Sequence, residues 1–221
     1  MAAHRRHPLS AQKNVAEHVQ VQAEFLKDKL EPRLAEARAG QRDVFFVDAA
    51  HFVLGTFLCH LWTKARLFVK AAAGRQRYNV LGAWNVVTQT LVAVTNTTVV
   101  NSETACELLR KIAAQSLGRP VTLVLDNARY QHCRLVQCLA EQLGIELLFL
   151  PSYSPNLNLI ERLWKFTKKT ALRGRYYATF AEFRAAIDAC LVQIDTTHRP
   201  QLATLMTHNF QTFDNVSLLV G

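Results

Sequence analysis

Apolar residues along this chain fall into two kinds of pattern, a helical spacing and short continuous runs. From about Ala11 to Ala39 they recur roughly at helical spacing, and Gly40 follows as a typical helix-ending glycine. The short runs predict strands at Val44–Asp48, Tyr78–Val87, Thr90–Val94, Val121–Asp126 and Ile145–Leu150. A further apolar run covers His51–Trp62, with Gly55 as a candidate bend.

Helical spacing returns between and after these strands. Ser102 is predicted to cap a helix that extends to about Ser116, and another helix covers about His132–Leu143, with Gly144 as its stop. Two more helices are predicted at about Asn156–Leu172, with Ser154 as N-cap and Pro155 at the first helical position, and at about Phe180–Ile194, with Thr179 as N-cap. Strands followed by alternating helices and strands predict an α/β fold with a mixed sheet flanked by helices.

The composition indicates a folded protein with an acidic partner. With 50% hydrophobic and 19% charged residues in 221 positions, the chain can build a core and is not disordered. Its formal net charge of +9 points to nucleic acid, the commonest acidic partner; a generally basic protein without such a partner is the alternative. The sequence shows no secretory signal and no apolar stretch of ~18 residues, and its five cysteines lack zinc-finger spacing.

Three acidic residues stand out because of where they fall in these patterns. Asp48 and Asp126 each end an apolar run, and Glu161 lies near the start of the helix that follows the turn segment 151–155. A single aspartate at a strand end is commonly a turn or cap residue. Three acids in this arrangement favour a metal site, because Mg²⁺ takes carboxylate and phosphate oxygens, and two such ions about 4 Å apart can clamp a phosphoryl displacement.

Basic residues concentrate beside these acids. The segment 54–101 carries five basic residues and no acid, and the segment 156–184 carries seven basic residues against two acids. On the predicted helix around Glu161, Lys165 and Lys168 fall one and two turns further along the same face. A surface ion pair between Glu161 and Lys165 is the alternative to a role at a metal and at phosphate.

Three sequence blocks carry a resemblance to a known family. The blocks FFVDAAHF, LVLDNARYQH and LPSYSPNLNLIERLWKFTKK resemble the catalytic blocks of DDE transposases, in the bacterial insertion-sequence branch of the mariner-like superfamily. The stretch RYNVLGAWN and the 34 residues between Asp126 and Glu161 are similar to the same branch. The sequence departs from the family pattern at Leu159, where proline is usual, and at Ala49, where an acid is frequent.

The resemblance implies a ribonuclease-H-like fold and DNA strand cleavage and joining. It assigns two Mg²⁺ or Mn²⁺ ions to Asp48, Asp126 and Glu161. Residues expected to orient the carboxylates or phosphate are Asn127, Arg129 and His51, although a histidine in such a place is more often structural. The expected DNA contacts are Tyr153, Arg162, Lys165, Lys168 and Lys169, and Trp164 is expected to pack at the edge of the core.

The resemblance also divides the chain into an N-terminal tail and linker helix (1–41), a catalytic domain (42–196) and a C-terminal extension (197–221). About 40 residues precede Asp48, too few for the helix-turn-helix modules of full-length members. We therefore expect the catalytic half of a transposase, which acts on double-stranded DNA as a homodimer at the bacterial nucleoid, in the cytoplasm. A helix-turn-helix polypeptide from an upstream frame is a candidate partner. The alternatives are a non-catalytic, DNA-binding or transposase-inhibiting remnant and a nuclease that cleaves RNA–DNA hybrids.

Overall fold

A five-stranded mixed sheet forms the centre of the protein. The structure, a computed structural model, describes residues 15–55, 76–116 and 118–210. The strands are β1 (Asp43–Val53), β2 (Arg77–Asn85), β3 (Leu91–Asn96), β4 (Val121–Leu125) and β5 (Ile145–Phe149). Their order is β3-β2-β1-β4-β5, with antiparallel pairs β3–β2 and β2–β1 and parallel pairs β1–β4 and β4–β5. The predicted mixed sheet is therefore confirmed.

Seven α-helices in the described ranges surround this sheet. They are α1 (Val15–Glu24), α2 (Glu31–Arg38), α3 (Ser102–Gln115), α4 (Arg134–Gln142), α5 (Ile160–Thr167), α6 (Phe180–Val192) and α7 (Arg199–Leu205). In the described part of the chain, no helix has the length and apolar character that crossing a membrane requires.

Several helix boundaries differ from the sequence prediction. The N-terminal helix is divided, because a π-helical segment at Phe25–Leu30 separates α1 from α2. Asn101, and not Ser102, is the N-cap of α3: its side chain accepts from the backbone N–H of Thr104, and the Thr104 hydroxyl reaches back to the Asn101 backbone. The left-handed backbone of Gly144, with φ of +65°, follows α4, as predicted for a helix-ending glycine.

The segment around Pro155 is also less helical than predicted. A 3₁₀ turn occupies Pro155–Leu157, the Ser154 side chain makes no capping hydrogen bond, and α5 begins only at Ile160. After Thr167 the helix widens into a π-helical segment, Lys168–Leu172. The predicted N-cap of α6 is confirmed, since the Thr179 hydroxyl accepts from the backbone N–H of Glu182.

The strand β1 is longer than its apolar run suggested. It pairs with β2 as far as Val53, so Asp48 lies in the middle of the strand and not at its end. Of the apolar run His51–Trp62, the first three residues continue β1, and residues 56–62 lie outside the described ranges. The predicted basic tail at residues 1–10 lies outside them as well.

Two cores form on opposite faces of the sheet, because successive strand residues point to opposite sides. On one face, Phe46 and Phe52 pack against α5 and α6, and on the other, Phe45 and Val47 pack against α3 and α4. The first core also contains buried residues from both ends of the described chain, among them Leu34 of α2 and Leu202 of α7. The segments on either side of the predicted catalytic domain therefore share its core.

Candidate active site

The parallel pairing of β1 and β4 brings two acidic residues to one place. The last parallel pair joins Val47 to Leu125, so the next residue on each strand, Asp48 and Asp126, falls beside the other where this pairing ends. The predicted neighbourhood of the two aspartates is thereby confirmed, although β1 itself continues. This is the edge at which ligand sites of open α/β sheets gather.

Glu161 approaches the two aspartates from the helical layer. It lies in the first turn of α5, whose apolar residues Ile160, Leu163 and Phe166 are buried against the sheet. Asp48, Asp126 and Glu161 line one cavity of about 370 Å³, together with Asn127, Asn158 and the segment 150–155. Residues that are far apart in the chain therefore contribute three carboxylates to a single cleft.

The charges in this cleft act on one another. Burial first, and then the negative charges of Glu161 and Asp126, raise the pKa of the Asp48 carboxyl to about 7. The backbone N–H of Ala49 and the indole of Trp164 oppose this shift by donating hydrogen bonds to the carboxyl group. Burial and then the charges of Asp126 and Asp48 also raise the pKa of Tyr130 above its usual value. A cation in the cleft would relieve this accumulation of negative charge.

The donor atoms of the cleft suit a hard divalent cation. The candidate ligand atoms are the carboxylate oxygens of three acids and the amide oxygen of Asn127. Oxygen ligands of this kind are the ones that Mg²⁺ and Mn²⁺ prefer. The buried amide oxygen of Asn158 has no hydrogen-bond partner within the described structure, and this residue lines the same cavity. Among the described residues, however, no three His, Cys, Asp or Glu side chains lie close enough together to enclose one ion. The acids thus share an open cleft and not a closed cage.

Two asparagines fix the loop that forms the wall of the cleft. The Asn127 side chain donates to the carbonyl oxygen of Leu150 at 2.7 Å, and the buried Asn158 side chain donates to that of Val47 at 3.1 Å. Both acceptors lie next to the acid-bearing ends of the parallel strands. The two bonds therefore tie the start and the end of the loop to the sheet.

The helix α1 holds the middle of this loop. Gln22 is 2% exposed; its amide nitrogen donates to the Ser154 hydroxyl at 3.0 Å, and its amide oxygen accepts from Asn156 at 3.0 Å. A ring nitrogen of His18 lies 3.2 Å from the carbonyl oxygen of Tyr153. Sequence reasoning missed this contact, because α1 carries two glutamines, Gln20 and Gln22, and no pattern in the sequence distinguishes the buried one.

The residues expected to orient the carboxylates divide into two groups. Asn127 lines the cleft, as described above. Arg129 is exposed in a 3₁₀ turn and does not line it. His51 is misplaced in the prediction: it lies three residues beyond Asp48 and so on the opposite face of β1, where its ring nitrogen bonds the Asn79 side chain at 2.7 Å.

The expected DNA contacts also divide. Lys165, Lys168 and Lys169 are exposed on and after α5. Tyr153 is 78% exposed at the cleft and has a left-handed backbone, with φ of +59°. The Arg162 guanidinium instead donates to three backbone carbonyl oxygens of residues 205, 207 and 209, so it anchors the segment after α7.

Trp164 has a contact that the sequence did not predict. It is 2% exposed, as expected of a packing residue, and its indole N–H also donates to the Asp48 carboxylate at 3.0 Å. A tryptophan three residues after the acid of a helix can reach the same site, because residues three apart share a helix face. That spacing was the available signal.

Comparison with solved structures identifies the fold. The Mos1 strand transfer complex superposes with a TM-score of 0.63 over 93% of this chain and 67% of that chain, at 12% identity. The Mos1 mariner paired-end complex with Mn gives 0.64 over 93% and 64%, also at 12% identity. The Mos1 transposase catalytic domain with raltegravir and Mg gives 0.56 over 91% and 98%, at 13% identity. This chain thus spans about two thirds of the Mos1 chains in the two complexes and nearly all of the catalytic-domain chain.

Of the sequence comparisons, the search of curated proteins finds no match to the chain. The comparison with family models does find one, and it agrees with the fold. The family model described as DDE superfamily endonuclease matches residues 43–184, which is more than half of the chain and includes all three acids of the cleft. The predicted ribonuclease-H-like fold is confirmed, and this chain belongs to the DDE superfamily endonuclease family.

Proposed function

We propose that this protein is the catalytic domain of a mariner-like transposase, which cleaves and joins DNA strands in the transposition of a bacterial insertion sequence. The observation that carries the proposal is the convergence of Asp48, Asp126 and Glu161 on one cleft at the end of the β1–β4 pairing. Family membership and the likeness in fold to the Mos1 transposase support the same reaction class.

The reaction would proceed in two displacements at phosphorus. Water attacks a phosphodiester at the transposon end and the 3′-oxygen leaves, which yields a 3′-hydroxyl. This hydroxyl then attacks a phosphodiester of the target; the target's own 3′-oxygen leaves as a 3′-hydroxyl, and a new strand junction forms. Neither step needs a covalent bond between protein and DNA.

The roles of the side chains follow from their positions. Asp48 and Asp126 would hold both Mg²⁺ or Mn²⁺ ions, and Glu161 would complete the second site. Bound ions would supply activation of the attacking oxygen and stabilisation of the leaving oxygen. Asn127 and Asn158 hold the wall of the cleft, and the exposed lysines after Glu161 would bind the phosphates of the DNA.

The partners belong to the proposal as well. The Mos1 structures include transposase complexes with transposon ends, and we propose double-stranded DNA as the substrate here. Pairing of two ends would require a homodimer on DNA, and end recognition would come from a helix-turn-helix polypeptide. A protein of this kind would act at the nucleoid.

A nicking assay tests the proposal. Purified protein should nick supercoiled plasmid with Mg²⁺ or Mn²⁺ and not with a chelator, and Asp48→Asn, Asp126→Asn or Glu161→Gln should each abolish nicking. Glu141→Gln, an exposed acid of α4, is the matched control and should be active. Nicking that survives Asp126→Asn would contradict the assignment.

The same preparations distinguish the alternatives. Cleavage of an RNA–DNA hybrid in preference to duplex DNA would indicate a ribonuclease-H-like nuclease. Metal and DNA binding without nicking by the folded wild-type protein would indicate a non-catalytic remnant. Joining of a pre-cleaved end to a target duplex would support the transposase specifically.

A further inference from the structure

Trp164 connects two strands and one helix beside the cleft: β1, β2 and α5. Its indole N–H lies 3.0 Å from one carboxylate oxygen of Asp48 on β1. The ring lies over Gly82 of β2, which is directly opposite Asp48 in the antiparallel pairing. Trp164 itself belongs to α5, one turn after Glu161.

The backbone beneath the indole is shaped for it. A Cβ atom at Gly82 would lie 2.6 Å and 2.9 Å from two ring carbons of Trp164, closer than such atoms approach in proteins. The backbone of Gly82 is not left-handed. The close approach of the ring, and not the backbone conformation, therefore requires glycine here. The rings of Phe52 and Trp164 make an edge-to-face contact, with centroids 6.5 Å apart.

The chemistry of the donor suits a carboxylate that must bind a cation. An indole N–H is a donor only and carries no charge. It can fix one oxygen of Asp48 without competing for the cation and without cancelling the negative charge that attracts it. A lysine or arginine in the same place would repel the ion.

We propose that Trp164 is a positioning residue, which holds one oxygen of Asp48 and leaves the other to face Asp126 and Glu161. This inference rests on the proposed function, in which Asp48 is a metal ligand. Because Trp164 and Glu161 lie on the same helix, the bond also sets the position of Glu161 relative to β1. Groups that orient metal ligands typically contribute 10–100-fold to metal affinity.

Mn²⁺ binding in the absence of DNA tests this inference. Titrations followed by electron paramagnetic resonance should show that Trp164→Phe, which keeps an aromatic ring and loses the N–H, binds Mn²⁺ about 10–100-fold more weakly than wild type. Gly82→Ala, which displaces the indole, should have the same effect. Trp84→Phe is the matched control, because Trp84 is a buried tryptophan two residues from Gly82, and it should bind like wild type.

The outcomes separate this inference from the proposed function. If Asp48→Asn binds Mn²⁺ as tightly as wild type, the metal assignment itself is wrong. If Asp48→Asn loses the ion while folded Trp164→Phe binds within about threefold of wild type, below the usual range for such groups, the role of Trp164 is wrong and the proposed function stands.

A spectroscopic measurement on the wild-type protein covers the case in which the variants do not fold. In ¹H–¹⁵N spectra, the indole N–H peak of Trp164 should move on addition of Mg²⁺, and that of Trp84 should not. The peaks of Trp62 and Trp84 can be assigned from their phenylalanine variants, which leaves that of Trp164. An unmoved Trp164 peak at saturating Mg²⁺ would overturn the inference.

Discussion

The guanidinium of Arg33 binds the carboxylate of Glu146 at the end of the sheet opposite the cleft, where α2 meets β5. Arg42 also donates to this carboxylate at 3.2 Å, and the buried Thr122 hydroxyl does so at 2.6 Å. The hydrogen bond from Arg33 is the main reason that the pKa of Glu146 lies below its usual value. These contacts attach the N-terminal helical segment to the parallel strands.

This network predicts a pH-dependent stability. The depressed pKa means that the stabilisation is present above the unfolded value of 4.5 and is lost as the pH falls through the folded pKa. Glu146→Gln should lower the free energy of unfolding by about 1 kcal/mol at pH 7, a value reduced by partial solvent screening, and by less at pH 4. Urea unfolding at both pH values measures this. Glu107→Gln, which breaks only an exposed pair with Lys111, should change little, and an equal loss at both pH values would contradict the account.

Asp48 predicts the opposite dependence for the metal-free protein. Its pKa is about 7 in the folded protein and 3.8 ordinarily. The contribution of this carboxyl to the free energy of unfolding is therefore fully present below pH 3.8. It falls as the pH rises and is lost above pH 7, where the folded protein must hold the charged form. Asp48→Asn removes this penalty and should stabilise the protein at pH 8 by roughly 1–4 kcal/mol, and by less as the pH approaches 4.

Thermal unfolding in a chelator at pH 8 and pH 5 measures this difference. Added Mg²⁺ should raise the melting temperature of wild type at pH 8 and should not raise that of Asp48→Asn. Glu141→Gln serves as the exposed control. A variant that is less stable than wild type at pH 8 would show that repulsion in the cleft is not the dominant effect of this carboxylate.

The sequence predicts the acids of the cleft better than their supports. The apolar runs before Asp48 and Asp126 indicate two strands, and the ends of parallel strands meet at one edge of a sheet. The same runs underestimate β1, because the polar residues Asp48 and His51 interrupt its apolar residues, while the strand itself continues to Val53. The spacing of Trp164 from Glu161 places it near the site, but the partners of Trp164 and Gln22 lie 116 and 132 residues away, and no local pattern identifies them.

The contact between Gln22 and the loop gives a third prediction. Gln22→Ala leaves the polar groups of Ser154 and Asn156 without these partners, which costs about 1–3 kcal/mol for buried groups. The segment 150–158 should then exchange its amide hydrogens faster, and nicking should fall while α1 itself stays helical. Hydrogen exchange followed by mass spectrometry measures this. Gln20→Ala, which loses only a bond to Glu24 on the surface, should leave the loop unchanged; the same exchange rate in both variants would mean that α1 does not hold the loop.

The exposed lysines beyond Glu161 give a fourth prediction. If phosphates lie along this face, the double change Lys165→Ala and Lys168→Ala should weaken binding of all DNA sequences alike and lower the log–log salt slope by about 2. Mn²⁺ affinity should not fall, because fewer nearby positive charges do not weaken cation binding. The matched control is Lys27→Ala with Lys29→Ala, which removes the same charge from the exposed N-terminal helical segment. Equal salt slopes for the two double variants would place the DNA elsewhere.

The central claim is that Asp48, Asp126 and Glu161 together hold the divalent ions of one cleft. Diffraction from crystals of the protein soaked in Mn²⁺, with data collected at the manganese absorption edge, tests it most directly. The account predicts anomalous peaks between these three carboxylates, at ligand distances of about 2.0–2.3 Å, and no such peak in Asp126→Asn crystals. Peaks located only elsewhere, or peaks in the cleft that persist unchanged in Asp126→Asn, would contradict it.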